Sequence, residues 1–273
     1  MSNFTILLPP SEGKASGGDP DRTWRQIAKD PACNAFPRLN PARRKVIAAL
    51  KSAQRSLPEA DLQKLFNVKD DNLAAAIAAN RAILRGELRP AIERYTGVMF
   101  DFLDYPSMPP DDRHTFDTHA LIFSGVWGLL RPTDLIPDYK LKIDASLPNL
   151  GRVSAFWKPH LSRVLNPILA GQIVWDLLPG AHRTAWDGKA KSAVRWQVKF
   201  VERVESRGKV TYRTVNHWSK ALKGALVRHL CAHAVTDVDA LADFEHPLGY
   251  VYDPTMGKRS KNGGEVVFVK SNE

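Results

Sequence analysis

Two hydrophobic rhythms run along this chain. Residues 4–8, Phe-Thr-Ile-Leu-Leu, are a short apolar run stopped by Pro9 and Pro10, which predicts a buried strand opening into the loop Ser11-Glu12-Gly13-Lys14. Residues 172–178 repeat that pattern ahead of Pro179-Gly180 and place Asp176 near the strand's carboxyl end. Val194, Trp196, Val198 and Phe200 alternate with Arg195, Gln197 and Lys199, the period of a half-buried strand. Residues 210–215 are expected to pair with it across a turn at 206–209, and 249–252 and 264–270 read as closing strands. Elsewhere apolar residues recur three and four apart, predicting helices over 43–55, 59–66, 70–84, 89–95, 111–123, 156–170 and 216–234. The expected class is α+β, one domain over 1–273 whose central sheet of largely C-terminal strands carries flanking helices. A helical subregion occupies 41–95.

Two of those helices meet across Asn67, Val68 and Lys69, a connection short enough to force a helical hairpin, with Asp70 expected as N-cap of the second. Such a hairpin can offer backbone N–H groups to a phosphate, although the usual glycines are missing here. Residues 124–144 have a different character. Gly125 and Gly128 permit close backbone approach or positive φ, whereas Pro132 and Pro137 stiffen the segment. If 139–143 is extended, Lys140 and Lys142 share one face while Leu141 and Ile143 pack on the other. Arg131, Asp134, Asp138 and Tyr139 lie nearby in sequence.

The chain has 273 residues, 39 Lys and Arg against 29 Asp and Glu, and a formal charge of +10. That excess points to a polyanion such as nucleic acid, or to small phosphorylated or carboxylated ligands. Between 188 and 228 there are 11 cations against Glu202 and Glu205 alone, so this block carries most of the net charge. On the helix over 216–234, Lys220, Lys223 and Arg228 gather on one flank around Gly224, opposite Trp218, Leu222 and Leu226. A glycine costs a helix about 1 kcal/mol relative to alanine, so its place suggests close approach by another backbone or a ligand.

Cys33 and Cys231 show no metal or redox spacing, which predicts a reduced, cytoplasmic protein. Neither a signal peptide nor a membrane segment is expected, since Phe4 to Leu8 is cut off by prolines and no long apolar window follows. The loop to Lys14 is not a P-loop, because Leu8 and Ala15 stand where a glycine and a Ser or Thr are required. His217, His229 and His233 make no convincing metal set. No cofactor is implied.

Several of these blocks, in order, resemble the YaaA peroxide stress proteins. The resemblance rests on Ile6 to Pro10 with Lys14, Tyr95-Thr96-Gly97, Ser124-Gly125, Gly128, Leu130-Arg131-Pro132, Asp134-Leu135, Tyr139, Phe156-Trp157, the Lys220 to Arg228 helix, Gly249-Tyr250 and Gly264 to Phe268. It departs from that family in the loop before Lys14 and in the strand ending at Asp176. The resemblance implies a mixed α/β fold with a helix-hairpin-helix-like element and a basic cleft, DNA binding without an established reaction, and protection of DNA and limitation of free iron under peroxide. Carried over by position, the hairpin is Asn67 to Asp70, and the DNA- or anion-binding candidates are Lys14, Arg131, Lys140, Lys142, Lys158, Lys220, Lys223 and Arg228. The alternative is an enzyme acting on a nucleotide-like or other small anion, with Glu12, Tyr139 and Asp176 as catalytic candidates. Glu12 or Asp176 would then be the general base and Arg131 the anion clamp.

Overall fold

The computed structural model describes residues 3–206, 208–214, 218–246 and 248–271. Nine strands form one mixed sheet: β1 (Phe4–Leu8), β2 (Ala120–Ser124), β3 (Gly128–Leu130), β4 (Ile173–Asp176), β5 (Val194–Ser206), β6 (Lys209–Thr214), β7 (Val251–Tyr252), β8 (Arg259–Ser260) and β9 (Gly263–Ser271). The spatial order is β7-β9-β5-β4-β1-β2-β3, with β6 added to β5 and β8 to β9. The five central strands, β9, β5, β4, β1 and β2, run parallel, and antiparallel strands finish the edges. All five residues of β1 and of β2 are buried, which explains sequences that are apolar apart from Thr5 and Ser124. The class is α+β, although the first strand of the chain lies inside the sheet, beside central β4, and two more strands come from the segment 120–130.

This order fixes where a ligand can enter. The chain leaves β1 toward β2 on one side, and later leaves β4 toward β5 on the other. At such a switch point the connections part at the carboxyl ends of the strands and open a crevice between them. The helices around the sheet are α1 (Asn40–Ser56), α2 (Glu59–Phe66), α3 (Asp70–Ala82), α4 (Val98–Leu103), α5 (Pro110–His119), α6 (Val153–Leu169) and α7 (Trp218–Ala232). Val215 to His217, and the side chain of Trp218, lie outside the described residues.

The structure corrects three expectations. The helix expected over 111–123 stops at His119, and the rest of that span is β2. A strand buried on both faces reads as a continuous apolar run, which periodicity cannot tell from a buried helix. The N-cap of α3 is Lys69, in extended conformation at φ −95° and ψ 172°, while Asp70 is the first helical residue and accepts a hydrogen bond from Gln63 Nε2 at 2.5 Å. The span 89–95 is a two-residue strand followed by a single helical turn, because Pro90 stands where a longer helix would begin.

Gly224 behaves as its position suggested. A Cβ there would lie 2.2 Å from the Met99 carbonyl oxygen and 2.7 Å from the Leu103 nitrogen, so α7 lies backbone to backbone on α4. Arg43, fully buried on α1, donates to the carbonyls of Trp127 at 2.9 Å and Leu129 at 2.8 Å and thereby holds the β2–β3 turn. Burial pulls its guanidinium down to about 10, which leaves it charged at neutral pH.

Candidate functional site

A cleft of about 850 Å³ opens at the switch point. Its walls are the loop after β1, the segment 139–144, the start of α4, the turn after β4 and one flank of α7. Lys14, Lys140, Lys142, Lys220 and Lys223 all line it. Its acidic lining residues, among those described, are Glu12 and Asp144.

The segment 139–143 is built as its alternation suggested. Tyr139, Leu141 and Ile143 are buried, while Lys140 and Lys142 are half-buried toward the cleft. Gly125 makes this possible, since a Cβ there would stand 2.5 Å from the Leu141 carbonyl oxygen. Trp157 Nε1 donates to the Gly125 carbonyl at 2.8 Å and fixes the same turn from α6. Gly128 adopts φ 73° and would meet the Trp157 ring with any side chain. From the other side, fully buried Asn80 on α3 clamps the Lys140 backbone, accepting from its N–H at 2.8 Å and donating to its carbonyl at 2.9 Å.

Beneath the lysines lies a chain of buried hydroxyls. Tyr139 Oη stands 2.8 Å from both Tyr95 Oη and Ser124 Oγ, and the Trp127 N–H donates to Ser124 Oγ at 3.0 Å. Burial raises Tyr139 to about 12 and drives Tyr95 well above its ordinary value, so both stay protonated phenols. Lys14 Nζ lies 4.2 Å above the Tyr139 ring centre and donates to the carbonyls of Ser11 at 3.3 Å and Glu12 at 3.4 Å. Burial pulls its ammonium down to about 8, and it pulls Lys223, which donates to the Leu177 carbonyl at 2.7 Å, to about 8 as well.

Glu12 is ion-paired with Lys142 at 3.1 Å and accepts from Asn67 Nδ2 at 3.1 Å. Burial alone would raise its carboxyl, but these hydrogen bonds and the nearby lysines outweigh it and hold the group below its ordinary value. The hairpin therefore reaches Glu12 through Asn67, whose αL conformation, φ 54° and ψ 51°, ends α2. Phe66 at the end of α2 lines the cleft, whereas Asn67, Val68, Lys69 and Asp70 do not.

Three of the eight candidate cations are not in the cleft. Arg131 sits toward the amino edge of β2, where it donates to the carbonyls of Thr118 at 2.5 Å and Ala120 at 3.3 Å. Arg228 is tied to the loop after α4, through the carbonyls of Leu103 at 3.2 Å and Asp104 at 2.9 Å. Lys158 is exposed on α6. Among the carboxylates, Asp176 is fully buried behind the cleft and saturated, receiving Arg183 Nε at 3.0 Å, Arg195 Nε at 3.0 Å and Nη2 at 2.5 Å, and the Leu178 N–H at 2.9 Å. Asp134 is likewise internal, accepting from the Ala35 and Arg131 N–H groups.

Sequence reasoning missed Asn80 and His182. His182 lines the cleft with its Nδ1 buried and without a hydrogen-bond partner, and burial pulls the imidazole down to about 4. Pro179-Gly180 at the end of β4 marked a turn there, but nothing marked the histidine that follows. Among the described residues, no three His, Cys, Asp or Glu side chains cluster to hold a metal ion, and no helix is long and apolar enough to cross a membrane.

The chain is similar in sequence to several known proteins. A UPF0246 protein of Streptomyces coelicolor is 34% identical over 265 residues, 93% of this chain and 95% of the relative. One from Corynebacterium glutamicum is 31% identical over 247 residues, 87% and 91% of the two chains. An uncharacterized protein of Campylobacter jejuni is 27% identical over 225 residues, 81% and 82% of the two. The family described as peroxide stress protein YaaA matches residues 4–256, and the chain belongs to that family.

Proposed function

We propose that this protein serves the peroxide stress response by binding DNA, taking the phosphodiester backbone into the lysine cleft largely without reading base sequence. The observation that carries this reading is the convergence of five lysines on one crevice, where one of the two acidic lining residues, Glu12, is already paired with Lys142. Lysines that neutralise phosphates release counterions and supply affinity independent of sequence. The hairpin contributes position rather than contact. Asp70 and Asp71 in the first turn of α3 would repel a phosphate, whereas Asn67 and Asn80 brace Glu12 and Lys140.

A second reading, a small anionic substrate, is favoured by the seat of Lys14 over the buried Tyr139 ring. Glu12 would be an ionised carboxylate in that case. Asp176, with two arginines on it, has no free position for a proton from substrate.

The test is duplex binding by fluorescence anisotropy. Lys142→Glu and Lys220→Glu each weaken it at least tenfold, alike for unrelated sequences, while Lys45→Glu, exposed on α1 and outside the cleft lining, leaves it unchanged. Wild-type protein that holds a mononucleotide but no duplex would refute the DNA reading in favour of the second.

A further inference from the structure

We propose that Lys14 is a catalytic amine that condenses with an aldehyde borne by a phosphate ester, the phosphate being held by the other cleft lysines. This rests on the anion-binding reading of the cleft, but not on the anion being duplex DNA.

The placement of Lys14 sets it apart. A lysine acting only as a point charge for phosphate serves best at the solvated rim, where Lys220 is. Lys14 instead is half-buried over two buried rings, with the aromatic faces of Tyr139 and Tyr95 at 4.2 and 5.7 Å. Its hydrogen-bond partners are two main-chain carbonyls, and no carboxylate among the described residues lies within ion-pair distance of it. Two N–H bonds on the Ser11 and Glu12 carbonyls leave a neutral amine its lone pair.

Charged groups face it from each neighbouring element: Glu12 from its own loop, Asp138 and Lys140 from the segment above, Arg94 from the turn beside Tyr95. Burial is the largest influence and lowers the ammonium; Lys140 and Arg94 lower it further, while Asp138 and Glu12 oppose them, with the balance at about 8. About a tenth of such a lysine is unprotonated at pH 7. Lysines desolvated beside other cations are the ones that form Schiff bases.

The step balances without an oxidant. The Nζ lone pair forms a bond to the aldehyde carbon, and the carbonyl π pair moves to oxygen, which takes a proton. The nitrogen then loses a proton, its lone pair forms the C=N bond as the hydroxyl leaves as water with a proton from solvent or a cleft ammonium, and a protonated imine remains. The same chemistry accepts a free aldehyde phosphate or the ring-opened sugar of an abasic site in DNA.

The experiment incubates the full chain with sodium cyanoborohydride and either 2-deoxyribose 5-phosphate or an abasic duplex, then maps adducts by mass spectrometry. The expected result is one dominant adduct on Lys14, absent from Lys14→Arg and Lys14→Met, with a trapping rate that rises with pH to a plateau above about 8. Adducts spread over exposed lysines such as Lys64, an adduct persisting in Lys14→Met, or no adduct with either probe would overturn the proposal. Trapping by the small probe alone confines the substrate to free aldehyde phosphates; trapping of the duplex extends it to DNA. Undamaged duplex, titrated in parallel, reports on the DNA reading alone, since that reading fails if wild-type protein does not bind it. Lys14→Arg keeps the charge and supplies a folded control.

Discussion

Asn80 and Lys140 hold each other through a closed pair of hydrogen bonds, the side-chain amide of one against the backbone N–H and carbonyl of the other, at 2.8 and 2.9 Å. The helical hairpin is thereby joined to the lysine-bearing segment 139–143 in the cleft wall. Asn80→Ala leaves two backbone groups unpaired in a buried position, at about 1–3 kcal/mol each. The melting temperature is expected to fall by at least about 5 °C, and anion affinity to fall with it, because Lys140 loses its anchor. Calorimetry and a phosphate titration check the two effects on one preparation.

Gly125 permits the approach that puts the same segment in place, with Leu141 oxygen 2.5 Å from where a Cβ would stand. Gly125→Ala pushes the 141–143 backbone away and is expected to cost about 1–3 kcal/mol, as overpacking of a filled interior does. Gly224→Ala, against the Met99 carbonyl, strains the α4–α7 contact by the same mechanism. Denaturant unfolding measures both, and only Gly125→Ala is expected to move Lys142 off Glu12.

The depressed lysines make stability and binding respond to pH in opposite senses. Lys14 and Lys223 titrate near 8 in the folded chain, below their unfolded value near 10.5. The unfolded state therefore binds more protons between those values, and these two groups make stability rise with pH from about 8 toward 10.5. Below 8 their burial penalty is present in full, so Lys14→Met is expected to raise the melting temperature at pH 7 and to lose that advantage by pH 10. A bound anion favours both ammonium forms, so phosphate or duplex affinity falls as pH rises through about 8. Thermal melts and titrations across pH 6.5–10 read both trends.

Asp176 gives the contrasting case. Its fully buried carboxylate holds Arg183 and Arg195, whose side chains stay 26% and 22% exposed, so Asp176→Ala removes the shared partner of two guanidinium groups and is expected to cost about 3 kcal/mol, the low end for breaking a buried pair. Whatever protein folds at low temperature should bind anions normally, since Asp176 does not line the cleft. A selective loss of binding with unchanged stability would contradict this structural role.

Much of this arrangement was legible in the sequence because it is local. The alternation of Tyr139, Leu141 and Ile143 with Lys140 and Lys142 needs only period-two geometry, and it survives in the fold. The position of Gly224 likewise announced a close contact, though not its partner, Met99. What sequence could not supply is direction across the sheet. Arg131 follows Ser124 closely in sequence, yet antiparallel pairing of β3 carries it back to the amino edge of β2, away from the cleft. Arg228 stands two turns after Lys220 and one beyond Lys223, but its guanidinium is captured by carbonyls at the end of α4. Asn80 and His182 carry no motif, and their roles arise only when α3 meets the segment 139–143 and the turn after β4 joins the cleft wall.

The central claim is that the lysine cleft binds the phosphate backbone of DNA, and a salt series tests it most directly. Duplex affinity is expected to fall linearly on a log–log plot with a slope of roughly −3 to −5, about −0.9 for each phosphate neutralised. Lys140→Gln with Lys220→Gln should reduce that slope by about two while weakening all sequences alike. A slope unchanged by the double substitution, or no duplex binding even at low salt, would contradict the account.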